Sequence, residues 1–230
     1  MTASISGVVS CPQPPLLLPG LTGRPVPEVE QLRAACHAAI AGLLAGRPDE
    51  LVLIGGIAAA ERDRPAEQAP PAVRDRPAEP VSLRVGRQLL AEVGCAIPVR
   101  PVPIRADATT AECLATGRRL VTGTAGAGER IGLLVLADGS ARRGLKAPGY
   151  LDPRADPFDR SIERALAAGD PAGLAALEMT VAAELLVAGR AAWQVLAGAT
   201  EGCRFEAEVH YLGDPFGVWY PVVAWQPVQD

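Results

Sequence analysis

Apolar and polar residues alternate along this chain in two rhythms, and the rhythms take turns. Ile5–Val9 is a short apolar run of strand type, and Leu51-Val52-Leu53-Ile54, running into a loop at Gly55-Gly56, is another. Between them, Val26–Ala45 carries apolar residues at Val29, Leu32, Ala35, Ala39, Ile40, Leu43 and Leu44, the spacing of one helix face. Helical spacing returns over Val81–Val93 and over Thr110–Val121, where Thr109 is placed to act as N-cap. Ala96–Ile104 reads as extended and proline-interrupted, and Ile131–Leu136 as the clearest buried strand. From Pro157 to Ala199 the pattern is helical, with breaks near Gly169-Asp170-Pro171 and around Thr180. Phe205–Leu212 and Val218–Trp225 both alternate, and the Gly213–Gly217 turn between them predicts a terminal β-hairpin. Strand and helix units in this order predict an α/β fold, a three-layer α/β/α sandwich with a central mixed sheet and a C-terminal β-hairpin.

Residues 58–80 break the rhythm. They contain a direct repeat, Arg62–Glu67 and Arg74–Glu79, with much proline and charge and almost no large apolar residue. Such a segment is expected to be a mobile surface loop within one domain spanning residues 1–230, read first as a tolerated insertion, with a lid over the site as the alternative. Gly123–Gly128 is glycine-rich but lies after a helix and before a strand, the reverse of a phosphate-binding loop, so it reads as a flexible connection.

Composition narrows the function classes. The 230 residues are 49% apolar and only 4% aromatic, enough for a sizeable core built from Ala, Leu, Val and Ile. The net charge of −4 comes from interspersed residues, which excludes the basic face that nucleic acid requires. Five scattered cysteines without a Cys-x-x-Cys pair suit a reducing cytoplasm and no zinc site. No apolar run approaches the ~18 residues of a membrane span, and Val8–Cys11 only loosely mimics a lipoprotein cleavage box. A soluble cytoplasmic protein follows as the expectation.

Candidate chemistry gathers after strands. Asp138 and Ser140 follow the strongest strand, where α/β proteins place functional groups or helix caps. The polar stretch from Lys146 to Arg154 includes Tyr150, and Asp156 before Pro157 is read as a helix N-cap. Neither the spacing of Asp152, Asp156 and Asp159 nor the flanking residues fit a calcium loop. The two histidines, His37 in a helix and His210 in the last strand, both lie away from the ends of the early strands, where the ligands of a two-histidine iron site are expected to converge.

One segment stands out: Cys11-Pro12-Gln13-Pro14-Pro15-Leu16-Leu17, where three prolines end the first strand. With Leu51–Ile57, Ala137-Asp138-Gly139-Ser140-Ala141 and Ala188-Gly189-Arg190 followed by Trp193–Leu196, it resembles, in order and over nearly the full length, the LigB-type superfamily. That superfamily comprises the catalytic subunit of class III extradiol dioxygenases and their Memo-like relatives. The resemblance implies an α/β/α sandwich and Fe(II)- and O₂-dependent ring opening of catechols, assisted by an acid/base histidine. Carried over position by position, Gln13 stands for the first metal ligand, Ile57 or Ala58 for the second, Ala188 for the third and Ala141 for the acid/base histidine. The expectation is therefore a LigB-fold protein with no metal cofactor and no ring cleavage. Its cleft would be lined by Gln13, Asp138, Ser140, Arg142, Tyr150 and Arg190, with arginines 142, 143 and 190 favouring a small anionic ligand. Two other readings stand beside it. One is a metal-free hydrolase or lyase using Asp138, Ser140 and Tyr150. The other is a dioxygenase, or its subunit, completed by a partner chain, and a homo-oligomer fits the expectation as well.

Overall fold

Strand runs buried along nearly their whole length, such as Leu51–Ile54 and Ile131–Leu136, belong in the middle of a parallel sheet covered on both faces. The computed structural model, which describes residues 3–21, 23–57, 79–122 and 128–228, has this arrangement. Strands β1 (Ser4–Cys11), β2 (Glu50–Ile57), β3 (Val99–Arg105) and β4 (Arg130–Leu136) run parallel, and β5 (Phe205–Gly213) and β6 (Tyr220–Pro227) form the terminal hairpin. The sheet order is β3-β2-β4-β1-β6-β5, with β6 antiparallel to β1.

Side chains on a strand point alternately to its two faces, so each strand feeds two cores. Val9, Leu51, Leu53, Leu134 and Leu136 pack under α1 (Pro27–Ala45) and α2 (Val81–Glu92). Val8, Val52, Ile54, Leu133 and Val135 face the opposite layer. That layer holds α3 (Thr110–Thr122), α4 (Ala155–Ala167), the short α5 (Pro171–Ala175) and α6 (Met179–Glu184), and α7 (Arg190–Ala199). The result is the expected α/β/α sandwich with a mixed sheet and a terminal hairpin. Among the described residues no helix is long and apolar enough to cross a membrane.

Local chemistry sets the boundaries. Thr109 caps α3 as its sequence suggests: Glu112 N donates to Thr109 Oγ1 at 3.3 Å and Thr109 N to Glu112 Oε2 at 2.7 Å, a reciprocal capping box. Asp156 does not cap α4, which begins one residue earlier with Arg154 at the cap position. The Asp156 carboxylate is instead held by Arg143 and Arg160. The segment expected to be one twice-broken helix has a further break at residues 185–189, just before α7. The glycines at 55 and 56, expected to be loop, lie inside β2. The expected mobile loop lies outside the described residues apart from Glu79 and Pro80, as does the Gly123–Gly128 connection apart from Gly128.

The closest helix contact is between α3 and α7. A Cβ on Gly117 would lie 2.1 Å from Val195 O, and one on Gly198 would lie 2.2 Å from Leu114 O. Replacing a helical glycine by alanine ordinarily gains about 1 kcal/mol in propensity. Here the backbone of the facing helix occupies the added atom's place, and overpacking of that kind costs about 1–3 kcal/mol. The clash wins, so Gly117→Ala and Gly198→Ala are each expected to lower the urea midpoint; an unchanged or raised midpoint for both would contradict this packing.

Candidate functional site

The prolines after β1 have a positional effect. Pro14 takes an extended conformation, and Pro15 starts a single 3₁₀ turn, Pro15–Leu17, whose Leu17 is buried. Arg33 of α1 fixes that turn by donating to Leu17 O at 2.9 Å. Strand β1 therefore stops at Cys11, and the chain is delivered sideways across the sheet end. β4 stops at the matching level: Cys11 pairs with Leu136, and Ala137 N donates to Cys11 O at 2.8 Å. Gln13 and Asp138, 125 residues apart, thereby become neighbours, with Gln13 N donating to Asp138 Oδ1 at 2.7 Å.

This contact forms one wall of a cleft of about 240 Å³ at the carboxyl ends of the parallel strands, lined by Gln13, Pro15, Gly56, Val81, Ser82, Ala106, Asp138 and Ala188. Open α/β sheets usually bind ligands at this end. Gly56 lets the chain pass close to the approach to α7: a Cβ there would come within 3.2 Å of Ala188 O. At Gly189 a Cβ would lie 2.6 Å from Ala137 Cβ, so only glycine lets the start of α7 close down on the end of β4. Gly189 N completes that contact by donating to Asp138 O at 2.9 Å. Ser82, at the start of α2, turns its hydroxyl to Gly56 O at 2.7 Å. The first turn of α2 and the approach to α7 thus both border the cleft.

Asp138 and Gln13, which line the cleft, are incompletely compensated. Burial pushes the Asp138 carboxyl up from its ordinary 3.8 to about 7, and the single hydrogen bond from Gln13 N opposes this only partly. The phenol of Tyr220, buried in β6, is raised too, first by burial and then by the charge on Asp138. Gln13 Oε1 is buried and has no hydrogen-bond partner.

Other residues expected at the site lie elsewhere. Ser140, two positions beyond Asp138, is fully buried against α4: its Oγ donates to Asp159 Oδ2 at 2.6 Å and its N to Asp159 Oδ1 at 2.9 Å. Burial raises Asp159 to about 6, against those two bonds and the Arg143 charge 3.8 Å away. Arg143 also binds Asp156 and Asp214, which makes it a tie between α4 and the hairpin turn and not a ligand group. Tyr150 is 62% exposed with φ of 61° and does not line the cleft. Arg142 does not line it either; its Nε is buried without a partner, and it lies beside Gly149 and Asp152. Arg190 is buried and committed, with Nη1 donating to Ala108 O at 2.6 Å and to Gln194 Oε1 at 2.9 Å, and Nη2 bonded to Ala106 O. Of the six residues expected to line the cleft, Gln13 and Asp138 do so. Ala188 joins them, Gly56 takes the place foreseen for Ile57, and Ala58 lies outside the described residues. Ala141 is tied by its N–H to Leu185 O at 3.2 Å and is not part of the lining.

The histidines stand apart from the cleft. His37 Nε2 on α1 is 2.7 Å from Glu92 Oε2, in a cluster that also holds Arg33 and Gln88. His210 on β5 is 3.7 Å from Glu208. Among the described residues no group of three or more His, Cys, Asp or Glu side chains is placed to hold a metal ion.

No protein-family model matches the chain, and no curated protein matches it. Among solved structures it is similar to the crystal structure of the uncharacterized protein JW3007 from Escherichia coli K12. The two are 15% identical with a TM-score of 0.49, over 96% of this chain and 99% of that one.

Two outcomes follow from the electrostatics. Asp138 binds its proton more tightly when folded, so its protonation stabilises the fold below about pH 4, and that contribution is lost as pH rises from about 4 to about 7. Asp138→Asn keeps the acceptor for Gln13 N and removes the buried charge. Its stability advantage over the wild type should be near zero at pH 4 and grow to roughly 1–3 kcal/mol at pH 8, after allowing for partial exposure. Urea unfolding at pH 4, 6 and 8 measures it, and an advantage that shrinks with pH would refute the assignment. Ser140→Ala removes one of the bonds on buried Asp159 and should destabilise by about 1–3 kcal/mol at pH 7.

Proposed function

We propose that this chain is a LigB-like protein that binds a small molecule in the cleft between Gln13 and Asp138 and performs no metal-dependent ring cleavage. The observation that carries the reading is the convergence of Gln13, Gly56, Asp138 and Ala188. Four distant segments, three of them at or beside positions where the resemblance puts metal ligands, line one cleft at the sheet end.

The donor set does not fit Fe(II). The cleft offers one carboxylate, one carboxamide and a serine hydroxyl already bonded to a carbonyl, and the only two histidines of the chain lie on α1 and β5. A non-haem iron centre of this type needs two imidazoles and a carboxylate on one face. No step through iron is therefore assigned to these residues.

What the cleft offers is recognition. Its walls at Pro15, Val81, Ala106 and Ala188 are apolar, and Gln13 and Asp138 are adjacent polar groups among them, the usual make-up of a small-molecule site. The anionic ligand expected from arginines 142, 143 and 190 loses its support, because none of the three lines the cleft. Acid/base chemistry retains one group: Asp138 at about 7 is poised to move a proton near neutral pH. Ser140 and Tyr150, its expected partners, are turned to Asp159 and to the surface respectively. Five free cysteines, three of them buried, support a reducing compartment such as the cytoplasm.

Purified protein, incubated anaerobically with Fe(II), desalted and mixed with catechol in air, should hold far less than one iron per chain and give no ring-opened product by absorbance. Stoichiometric iron with turnover would overturn the proposal. Loss of both in a folded Asp138→Asn variant would then tie that activity to the Gln13–Asp138 cleft.

A further inference from the structure

Resting on the small-molecule reading of the same cleft, we infer that its ligand is a small organic cation, an amidinium or ammonium group carried on a single flat apolar ring. That cation would be held between Gln13 Oε1 and the Asp138 carboxylate. Buried carboxylates in folded proteins are ordinarily paired with a cation, since desolvation is otherwise uncompensated. Asp138 departs from this pattern among the described residues. Its part-buried carboxylate accepts one hydrogen bond, from the neutral backbone N–H of Gln13, and no arginine, lysine or histidine acts on it. The buried cation Arg190 has its donors on Ala106 O, Ala108 O and Gln194 Oε1.

Gln13, which lines the same cleft, carries a second acceptor lacking a donor, its buried side-chain carbonyl oxygen Oε1. Because Gln13 N is fixed on Asp138 Oδ1 at 2.7 Å, the two residues are held together in the cleft wall, which carries two under-satisfied acceptors and no free side-chain donor but the carboxamide's own NH₂. A group with parallel N–H bonds and a positive charge complements such a pair. The helix ends bordering the cleft carry only about half a charge each, spread over backbone N–H groups, and Gly189 N is already spent on Asp138 O. They do not supply a cation in contact. Size sets the rest of the ligand: a cavity of about 150 Å³ takes a benzene ring, so about 240 Å³ accommodates one ring with a small substituent. Walls of Pro15, Val81, Ala106 and Ala188 suit its apolar body.

Benzamidine, benzoate and benzyl alcohol share one shape and differ in charge, which makes them the probes. They are titrated into the full chain at pH 8 by calorimetry, with amide chemical shifts locating the binding. Benzamidine is expected to bind and shift the amides of Gln13, Gly56 and Asp138. Asp138→Asn should weaken it at least about tenfold and Gln13→Ala several-fold, in line with hydrogen bonds to charged groups. Both variants are checked for folding by urea unfolding first. Benzoate or benzyl alcohol binding the cleft as tightly as benzamidine would overturn the cation while leaving the small-molecule reading in place. Competition of benzamidine by Mn²⁺ at equimolar concentration would overturn the organic nature of the cation. If no probe shifts the cleft amides, both the inference and the small-molecule reading fall.

Discussion

The parallel pairing of β1 with β4 is the constraint on which the rest of the molecule depends. It sets Cys11 level with Leu136, and the bond from Ala137 N to Cys11 O carries the ladder one residue past the strand ends. Everything functional is built outward from that level. The proline turn directs Gln13 toward Asp138, the glycines at 56 and 189 let β2 and α7 close in, and the two cores hold the sheet from either side. Were the register to slip by one residue, every strand side chain would change core and Gln13 would lose Asp138 together with it.

How much of this was legible in the sequence depends on the range of the interactions. Strands announce themselves through period two and helices through their apolar stripe, so the layers and the hairpin could be read directly. Errors arose where distant partners decide. Gly55 and Gly56 look like a loop because glycine weakens strands. They are strand residues because β2 pairs with its neighbours past Ile54, and glycine suits them because Ser82 packs against Gly55 and Ala188 O comes close to Gly56. Asp156 before Pro157 looks like a cap, yet Arg143 and Arg160 take its carboxylate and the helix starts earlier.

The site shows the same division. Asp138 could be found from its place after the strongest strand. Gln13 could be found from the prolines around it. Ser140 could not be separated from Asp138 by sequence, because only the fold reveals that Asp159 of α4 is buried behind it and claims both its N–H and its hydroxyl. Arg190 looked available for a ligand; in the fold it serves the carbonyls left by the end of β3, a debt of the backbone that no local pattern records. Pro15, Val81, Ser82 and Ala106 carry no motif at all, and their part in the cleft is purely a matter of where helices and strands end.

The tryptophans give the protein an optical property. All three are buried: Trp193 donates its indole N–H to Ser10 Oγ at 3.0 Å, Trp225 donates to Leu166 O at 2.7 Å, and Trp219 packs over Gly139. Ser10 lies one residue before the end of β1, and Gly139 one residue after Asp138. Two of the three indoles thus sit directly beneath the two segments that form the cleft wall, shielded from water and joined to them through hydrogen bonding or packing. Intrinsic fluorescence is in this molecule a label-free view of the cleft from below, undiluted by any surface tryptophan.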